Sequence, residues 1–221
     1  MTRTLGLLTL GQSPREDVTP AFRWVLGPDV QVLERGALDG LAGNDLDALR
    51  ARPPEPGLET RLRSGAAIGL HRPALQARLE AAARDLAGAC DLVLLLCSGS
   101  FPDLEQACPW LVQPIHLLRG AVRALARDRL LGVVGPASDL LEAPAHWAPY
   151  APRVLCAPAS PYEPLTVTGA AARSLASAGA QVILLDDLGF GLEHRAAATA
   201  AGVPVLCAST LAARLVQELF G

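Results

Sequence analysis

The stretch Ala83-Arg-Asp-Leu-Ala-Gly-Ala-Cys-Asp-Leu-Val-Leu-Leu-Leu-Cys97 reads as the end of a helix running into a wholly aliphatic strand. Later in the chain, Ala172-Arg-Ser-Leu-Ala-Ser-Ala-Gly-Ala-Gln-Val-Ile-Leu-Leu-Asp-Asp187 repeats that reading with one inserted residue. A second echo precedes each copy. Arg3-Thr-Leu-Gly-Leu-Leu-Thr9 and Arg129-Leu-Leu-Gly-Val-Val-Gly135 share an R-x-L-G start, two aliphatic residues and a small one. Two echoes in the same order predict two similar halves, each opening with a strand and later repeating a helix–strand unit.

Around these echoes, apolar strands alternate with Ala/Leu/Arg helices, the pattern of an α/β protein with parallel sheets. Strands are expected at Thr4–Thr9, Val30–Arg35, Leu92–Cys97, Leu130–Val134, Arg153–Cys156, Val182–Leu185 and Val205–Cys207. Helices are expected at Arg15–Leu26, Pro73–Gly88, Leu117–Arg127, Ser138–Trp147, Val167–Ala178, Leu192–Ala201 and Ser209–Leu219. Pro73 suits a first helical turn, and Gly179 and Gly202 sit where helices should stop. Leu58–His71 breaks the rhythm and reads as a hairpin or exposed flap turning at Ser64-Gly65. The expected domains are residues 1–115 with 208–221, and residues 116–207. Their boundary lies near Pro114–Leu118, and the last helix returns to the first lobe.

Composition excludes several functions. Of 221 residues, 51% are hydrophobic and 19% charged, which supports a sizeable core and rules out global disorder. No apolar run reaches the ~18 residues of a membrane span, and the N-terminal apolar stretch reads as a strand rather than a signal peptide. The net charge of −3 and the scattered two Tyr and four Phe speak against a nucleic-acid partner. All 19 basic residues are arginine. Without lysine there is no Schiff base, and hence no ordinary pyridoxal-phosphate or lysine-aldolase chemistry; a standard P-loop is excluded too. Five cysteines without CxxC spacing indicate a reduced, cytoplasmic protein, and four scattered histidines argue against a metal site.

If the halves are related by a pseudo-dyad, ligands should bind beyond the carboxyl ends of equivalent strands. Cys97 leaves its strand into Ser98-Gly99-Ser100. There it is either an inert buried thiol or a reactive one lowered by amide N–H groups at a helix start, with Ser98, Gly99 and Ser100 receiving a substrate carboxylate. The Ser-Gly-Ser turn and the matching position Asp187 favour the second. Of Asp186-Asp187, one is expected to cap the helix carrying His194 and Arg195, the other to act as base or binding group, with Gly189 behind them. His194 reads either as a structural residue or as a proton shuttle. Gly11 permits a tight turn before Pro14 starts a helix. Gln12 and Ser13 would donate to a ligand, and Arg15 would clamp a carboxylate bidentately. Gly135-Pro136 closes the other half of the ligand site. Cys90 precedes its strand, while Cys108, Cys156 and Cys207 lack a comparable setting.

Gly11-Gln12-Ser13-Pro14-Arg15 with Asp17, Leu94-Leu-Leu-Cys97-Ser-Gly99, Gly132-Val-Val-Gly-Pro136 and Leu185-Asp-Asp-Leu-Gly-Phe190 with His194-Arg195 together resemble the AroM family across essentially the whole chain. That family is similar to the aspartate/glutamate racemase superfamily. The resemblance implies two pseudo-symmetric α/β lobes around a cleft and cofactor-independent proton transfer at a carbon next to a carboxylate. It also implies a homo-oligomer, most simply a dimer. Cys97 matches the first catalytic cysteine of the superfamily. Asp187 stands at the second position, where many relatives carry cysteine. The expected function is a racemase or isomerase of a small acid or amino acid, using no cofactor or metal. The alternatives are a single-cysteine decarboxylase or lyase, and a non-catalytic binder of small carboxylates.

Overall fold

Where a strand carries a glycine, a helix can approach its backbone closely, and this chain uses that approach twice. The computed structural model describes residues 2–52 and 57–221. They form two compact units, Met1–Thr19 with Gly27–Gln113, and Pro20–Leu26 with Pro114–Gly221.

In the first unit, β1 (Arg3–Thr9) is followed by α1 (Thr19–Leu26), β2 (Val30–Gly36), the short α2 (Asn44–Asp47) and an antiparallel hairpin of β3 (Leu58–Arg61) and β4 (Ala67–Leu70). Then come α3 (Arg72–Ala87), β5 (Leu92–Leu95) and α4 (Pro102–Ala107). The sheet order is β2-β1-β5, all parallel. β1 is buried from Leu5 to Thr9, as a central parallel strand covered on both faces must be. The core gathers Leu8, Leu38, Ile68, Leu70, Leu75, Leu79 and Leu95.

The second unit runs α5 (Pro114–Ala126), β6 (Leu130–Gly135), a 3₁₀ turn (Asp139–Leu141), α6 (Ala143–Trp147), β7 (Arg153–Pro158) and α7 (Leu165–Ser177). It continues with β8 (Val182–Leu185), α8 (Leu192–Thr199), β9 (Val205–Cys207) and α9 (Ala208–Phe220). Its sheet order, β7-β6-β8-β9, contains the first unit's pattern with one added strand. Val134, Leu175, Ile183, Leu185 and Phe190 centre its core.

The sequence echoes are packing contacts. A Cβ built on Gly6 would meet Leu86 Cβ at 3.2 Å and Cys90 Sγ at 3.0 Å. One built on Gly132 would meet Leu175 Cβ at 3.2 Å and Ala180 Cβ at 3.1 Å. Leu86 and Leu175 occupy the same place in the two A-R-x-L-A segments, and Cys90 and Ala180 each stand two residues before a repeated strand. Each unit therefore lays the same helix on the same bare strand backbone. Register follows suit: Gly6 pairs with Leu33 and Val93, and Gly132 with Leu155 and Ile183.

Several expected boundaries change. The helix expected from Arg15 begins at Thr19, because Arg15–Val18 form a turn in which the Val18 and Thr19 N–H groups donate to the Arg15 carbonyl. Pro14 lies outside the helix, and Pro20 enters its first turn. The helix expected over Ser138–Trp147 splits, since Pro144 starts a new one at α6. β5 ends before Cys97. The helical segment that departs from the expected grouping is α1, not α9. α9 turns the small and apolar face Ala208, Ala212, Ala213 and Val216 into the second unit. Gln217 Nε2 there donates to the Val25 carbonyl at 2.7 Å.

Placing a β-branched side chain on either lock glycine drives it into packed leucine. We expect Gly6→Val and Gly132→Val each to lower stability by roughly 1–3 kcal/mol. Urea unfolding of the two variants checks this. An unchanged midpoint in either would show that its helix does not press on the strand.

Candidate functional site

Register makes Leu95 and Leu185 equivalent, paired with Leu8 and Val134. Two residues on, Cys97 and Asp187 stand at matching positions of their units. The backbone agrees: the Leu96 N–H donates to the Leu8 carbonyl at 2.7 Å, and the Asp186 N–H to the Val134 carbonyl at 2.8 Å.

The turn after β5 is braced from Val112–Gln113. The Leu95 N–H donates to the Val112 carbonyl at 2.9 Å. The buried Gln113 amide accepts from the Phe101 N–H and donates to the Phe101 carbonyl, both at 3.0 Å. Within this turn the Gly99 N–H donates to Cys97 Sγ at 3.3 Å. The donor is thus a turn amide and not the expected helix start. α4 opens at Pro102, which has no N–H, and the Phe101 N–H is taken by Gln113. Cys97, Ser98, Gly99 and Ser100 are all half-buried. Ser100 gives its carbonyl to Arg72 Nη1 at 2.6 Å.

Gln12, Ser13 and Arg15 lie past the end of β1, and their polar groups are committed inside the first unit. Gln12 Nε2 donates to the Leu41 carbonyl at 3.0 Å, and its Oε1 accepts the Arg63 N–H at 3.0 Å. Ser13 donates through its N–H and Oγ to the two oxygens of Asp39, at 2.8 and 2.6 Å. Arg63 grips the Ser13 carbonyl through Nε at 2.7 Å and also through Nη2. The buried Arg15 does clamp a carboxylate bidentately, at 2.8 and 2.7 Å, but that carboxylate is Asp17. These residues dock the β3–β4 hairpin onto the strand end. Gly11 is required there because a Cβ would run into the Arg61 carbonyl.

At the other strand end, Asp187 Oδ1 accepts the Gly189 N–H at 2.6 Å, the counterpart of the Gly99–Cys97 contact. Any Cβ on Gly189 would lie 2.8 Å from Pro161 Cγ. Asp186 Oδ2 accepts the indole N–H of the fully buried Trp147 at 2.8 Å. Burial, reinforced by the nearby carboxylates of Asp187 and Asp139 and opposed by the Trp147 hydrogen bond, pushes Asp186 up to about 7, although part of the residue still reaches solvent. Gly135 and Pro136 shape the end of β6. The Gly135 carbonyl accepts from Ala159, and the Pro136 carbonyl accepts from Asp139 and Leu140.

Neither aspartate caps α8. His194 does so, its Nδ1 accepting the N–H of Gly191, the N-cap residue, at 3.2 Å. Burial pushes His194 below its ordinary value, partly offset by the Pro161 carbonyl. Its ring stands edge-on to Phe190.

The other thiols are set apart. Burial raises Cys90, Cys108 and Cys156, and Cys207 Sγ donates to the Phe190 carbonyl at 3.1 Å. Among the described residues no cluster of three His, Cys, Asp or Glu could hold a metal, and no helix is long and apolar enough to cross a membrane. Sequence reading missed Arg72, Asp39, Arg63 and Trp147. They lie far along the chain from the strand ends they serve, and no spacing motif links them.

A family model described as AroM protein matches residues 5–220. Among solved structures, unliganded arylmalonate decarboxylase aligns with a TM-score of 0.63 at 16% identity, covering 99% of this chain and 92% of that one. Allantoin racemase from Klebsiella pneumoniae gives 0.62 at 16% identity, covering 99% and 87%. Glutamate racemase from Francisella tularensis subsp. tularensis SCHU S4, solved with D-glutamate, gives 0.58 at 11% identity, covering 99% and 81%. At these identities the likeness is one of fold, the α/β architecture of the aspartate/glutamate racemases. No curated protein sequence matches the chain.

The Asp186 carboxyl makes stability pH-dependent. Between about pH 4 and about pH 7 the unfolded chain releases this proton while the folded chain keeps it, so stability falls as pH rises through that window and levels off above it. Asp186→Asn removes this slope. Relative to the unsubstituted protein it should gain stability across the window, by at most about 4 kcal/mol. Thermal melts at a series of pH values measure this, and parallel curves for the two proteins would contradict the assignment.

Proposed function

This chain belongs to the AroM family, and we propose that it catalyses cofactor-independent proton transfer at a carbon next to the carboxylate of a small acid or amino acid, with Cys97 and Asp187 as its acid–base pair. The observation that carries the reading is the equivalence of the two strand ends. Each places an ionisable side chain two residues past the last paired leucine, and each ties it to the N–H of the glycine two residues further on. Proteins that share the fold include two racemases, of allantoin and of glutamate, and a decarboxylase of arylmalonate.

In the proposed step the Cys97 thiolate takes the proton from the carbon, leaving a thiol and a carbanion delocalised into the neighbouring carboxylate. Protonated Asp187 returns a proton to the other face and becomes a carboxylate. The pair is lopsided, because ordinary values of ~8.5 and ~3.9 make aspartate the weaker base. Desolvation in a closed ligand complex raises the carboxyl toward the thiol and lessens that difference. The same asymmetry supports a second reading, a lyase in which Cys97 alone protonates the carbanion left by decarboxylation. A small carboxylate is the proposed ligand. A second copy of the chain, and a reducing cytoplasmic setting that keeps the five cysteines as thiols, complete the proposal.

Incubation in D2O with a panel of small carboxylates and amino acids, read by NMR, tests the reading. The protein should wash deuterium into the carbon next to the carboxylate without added cofactor. Cys97→Ser should slow this by about 10²-fold or more while a ligand thermal shift persists. Asp187→Cys, which restores a two-thiol pair, should speed it. Binding without exchange or loss of CO2 across the panel would make the protein a non-catalytic binder. Lost binding in Asp187→Asn would assign Asp187 to recognition.

A further inference from the structure

Beside Cys97 stands a cation that the reading above leaves without a task. Arg72 opens α3, and its Nη1 donates to the Ser100 carbonyl at 2.6 Å. Its guanidinium carbon lies over the Phe101 ring, 4.4 Å from the centre, a cation–π contact. Among the described residues no carboxylate pairs with it. Arg72 is thus held by a carbonyl and an aromatic face, and neither neutralises its charge.

The second observation is Gly99. A Cβ built there would sit in contact range of three groups: Cys97 Sγ at 3.4 Å, Phe101 Cε2 at 3.7 Å and Arg72 Nη2 at 4.0 Å. Thiol and guanidinium therefore flank the same bare Cα, and the Gly99 N–H already points at the sulfur. An anion resting on Gly99 would meet Arg72 Nη2 on one side and have Cys97 Sγ on the other. The outer nitrogens of a guanidinium suit a carboxylate, and Nη1 is already engaged in holding the fork in place.

We propose that Arg72 is the carboxylate anchor of the Cys97 site, its Nη2 holding the carboxylate of an incoming small acid over the bare Cα of Gly99, beside the thiol. The proposal rests on the reading of Cys97 as the reactive group. It also explains why the site carries glycine at 99, since a side chain would fill the space the carboxylate takes.

Two alkylating reagents that differ only in charge test it without any turnover. Iodoacetate carries a carboxylate next to its reactive carbon, and iodoacetamide carries a neutral amide. Peptide mapping gives the rate of each at Cys97. In the unsubstituted protein the iodoacetate-to-iodoacetamide ratio at Cys97 should exceed that at the other thiols. It should fall about tenfold in Arg72→Gln and less in Arg72→Lys, which keeps the charge but not the fork. Should Arg72→Gln fail to fold, the unsubstituted protein still answers. Raising ionic strength from about 0.01 M to about 1 M shortens the screening length from ~30 to ~3 Å and should lower the ratio at Cys97. Good reactivity with iodoacetamide but a ratio indifferent to Arg72 and to salt overturns the anchor and leaves the reading of Cys97 standing. Silence of Cys97 toward both reagents overturns both.

Discussion

The close approach of a helix to a strand glycine is the constraint on which the rest of this structure depends. Leu86 against Gly6 and Leu175 against Gly132 set how deep α3 and α7 sit on their sheets. The chain then enters β5 and β8 from Cys90 and Ala180, the other residues that touch those glycines. Entry point and register together decide which residue is the first to leave the sheet. Leu96 and Asp186 leave first and Cys97 and Asp187 follow, so the chemistry of the strand ends is placed by a packing contact near the start of the same strands.

Because the units share one packing solution, each serves as a control for the other. Leu96 is 5% exposed and apolar, and Asp186 is its equivalent. The fold therefore accepts leucine at this position, and the second unit carries there a carboxyl that burial holds protonated to about pH 7. Trp147 offsets part of the cost through its indole N–H. Cys97 and Asp187 differ in chemistry yet share the i+2 glycine donor, so the turn geometry is common and only the ionisable group has changed. Around them the units diverge further. The first has Arg15, Arg63 and Arg72 together with Asp17 and Asp39 about its strand ends, whereas the second has Asp139, Asp186 and Asp187.

Local patterns in the chain made most of this legible. Parallel strands are short apolar runs, and all seven expected ones form. The duplication was readable because the residues that make its packing contacts recur in the same order in each half, inside the R-x-L-G and A-R-x-L-A segments. The hairpin at Ser64-Gly65 was readable from a turn signal, and Gly65 has φ of 83°. What the sequence does not show is partners that are distant along the chain. Gln12 and Ser13 look like ligand donors along the chain, and Arg63 and Asp39 engage them. One of Asp186-Asp187 looks like a helix cap, but the indole N–H of Trp147, thirty-nine residues earlier, donates to Asp186. Arg72 reads only as a helix-start residue until Ser100 and Phe101 fold against it. Periodicity and turn chemistry act between neighbours, and hydrogen-bond partners brought together by tertiary folding leave no such trace.

The central claim is that Cys97 differs chemically from the other four thiols because of where its strand ends. Burial raises Cys90, Cys108 and Cys156, and Cys207 spends its S–H on the Phe190 carbonyl, while Cys97 is half-buried and receives the Gly99 N–H. Timed labelling of the native protein with a small neutral alkylating agent below about pH 8, followed by peptide mapping of all five sites, tests this most directly. The account predicts that Cys97 is modified first and well ahead of the rest. Modification of Cys108 or Cys156 while Cys97 stays unlabelled would contradict it.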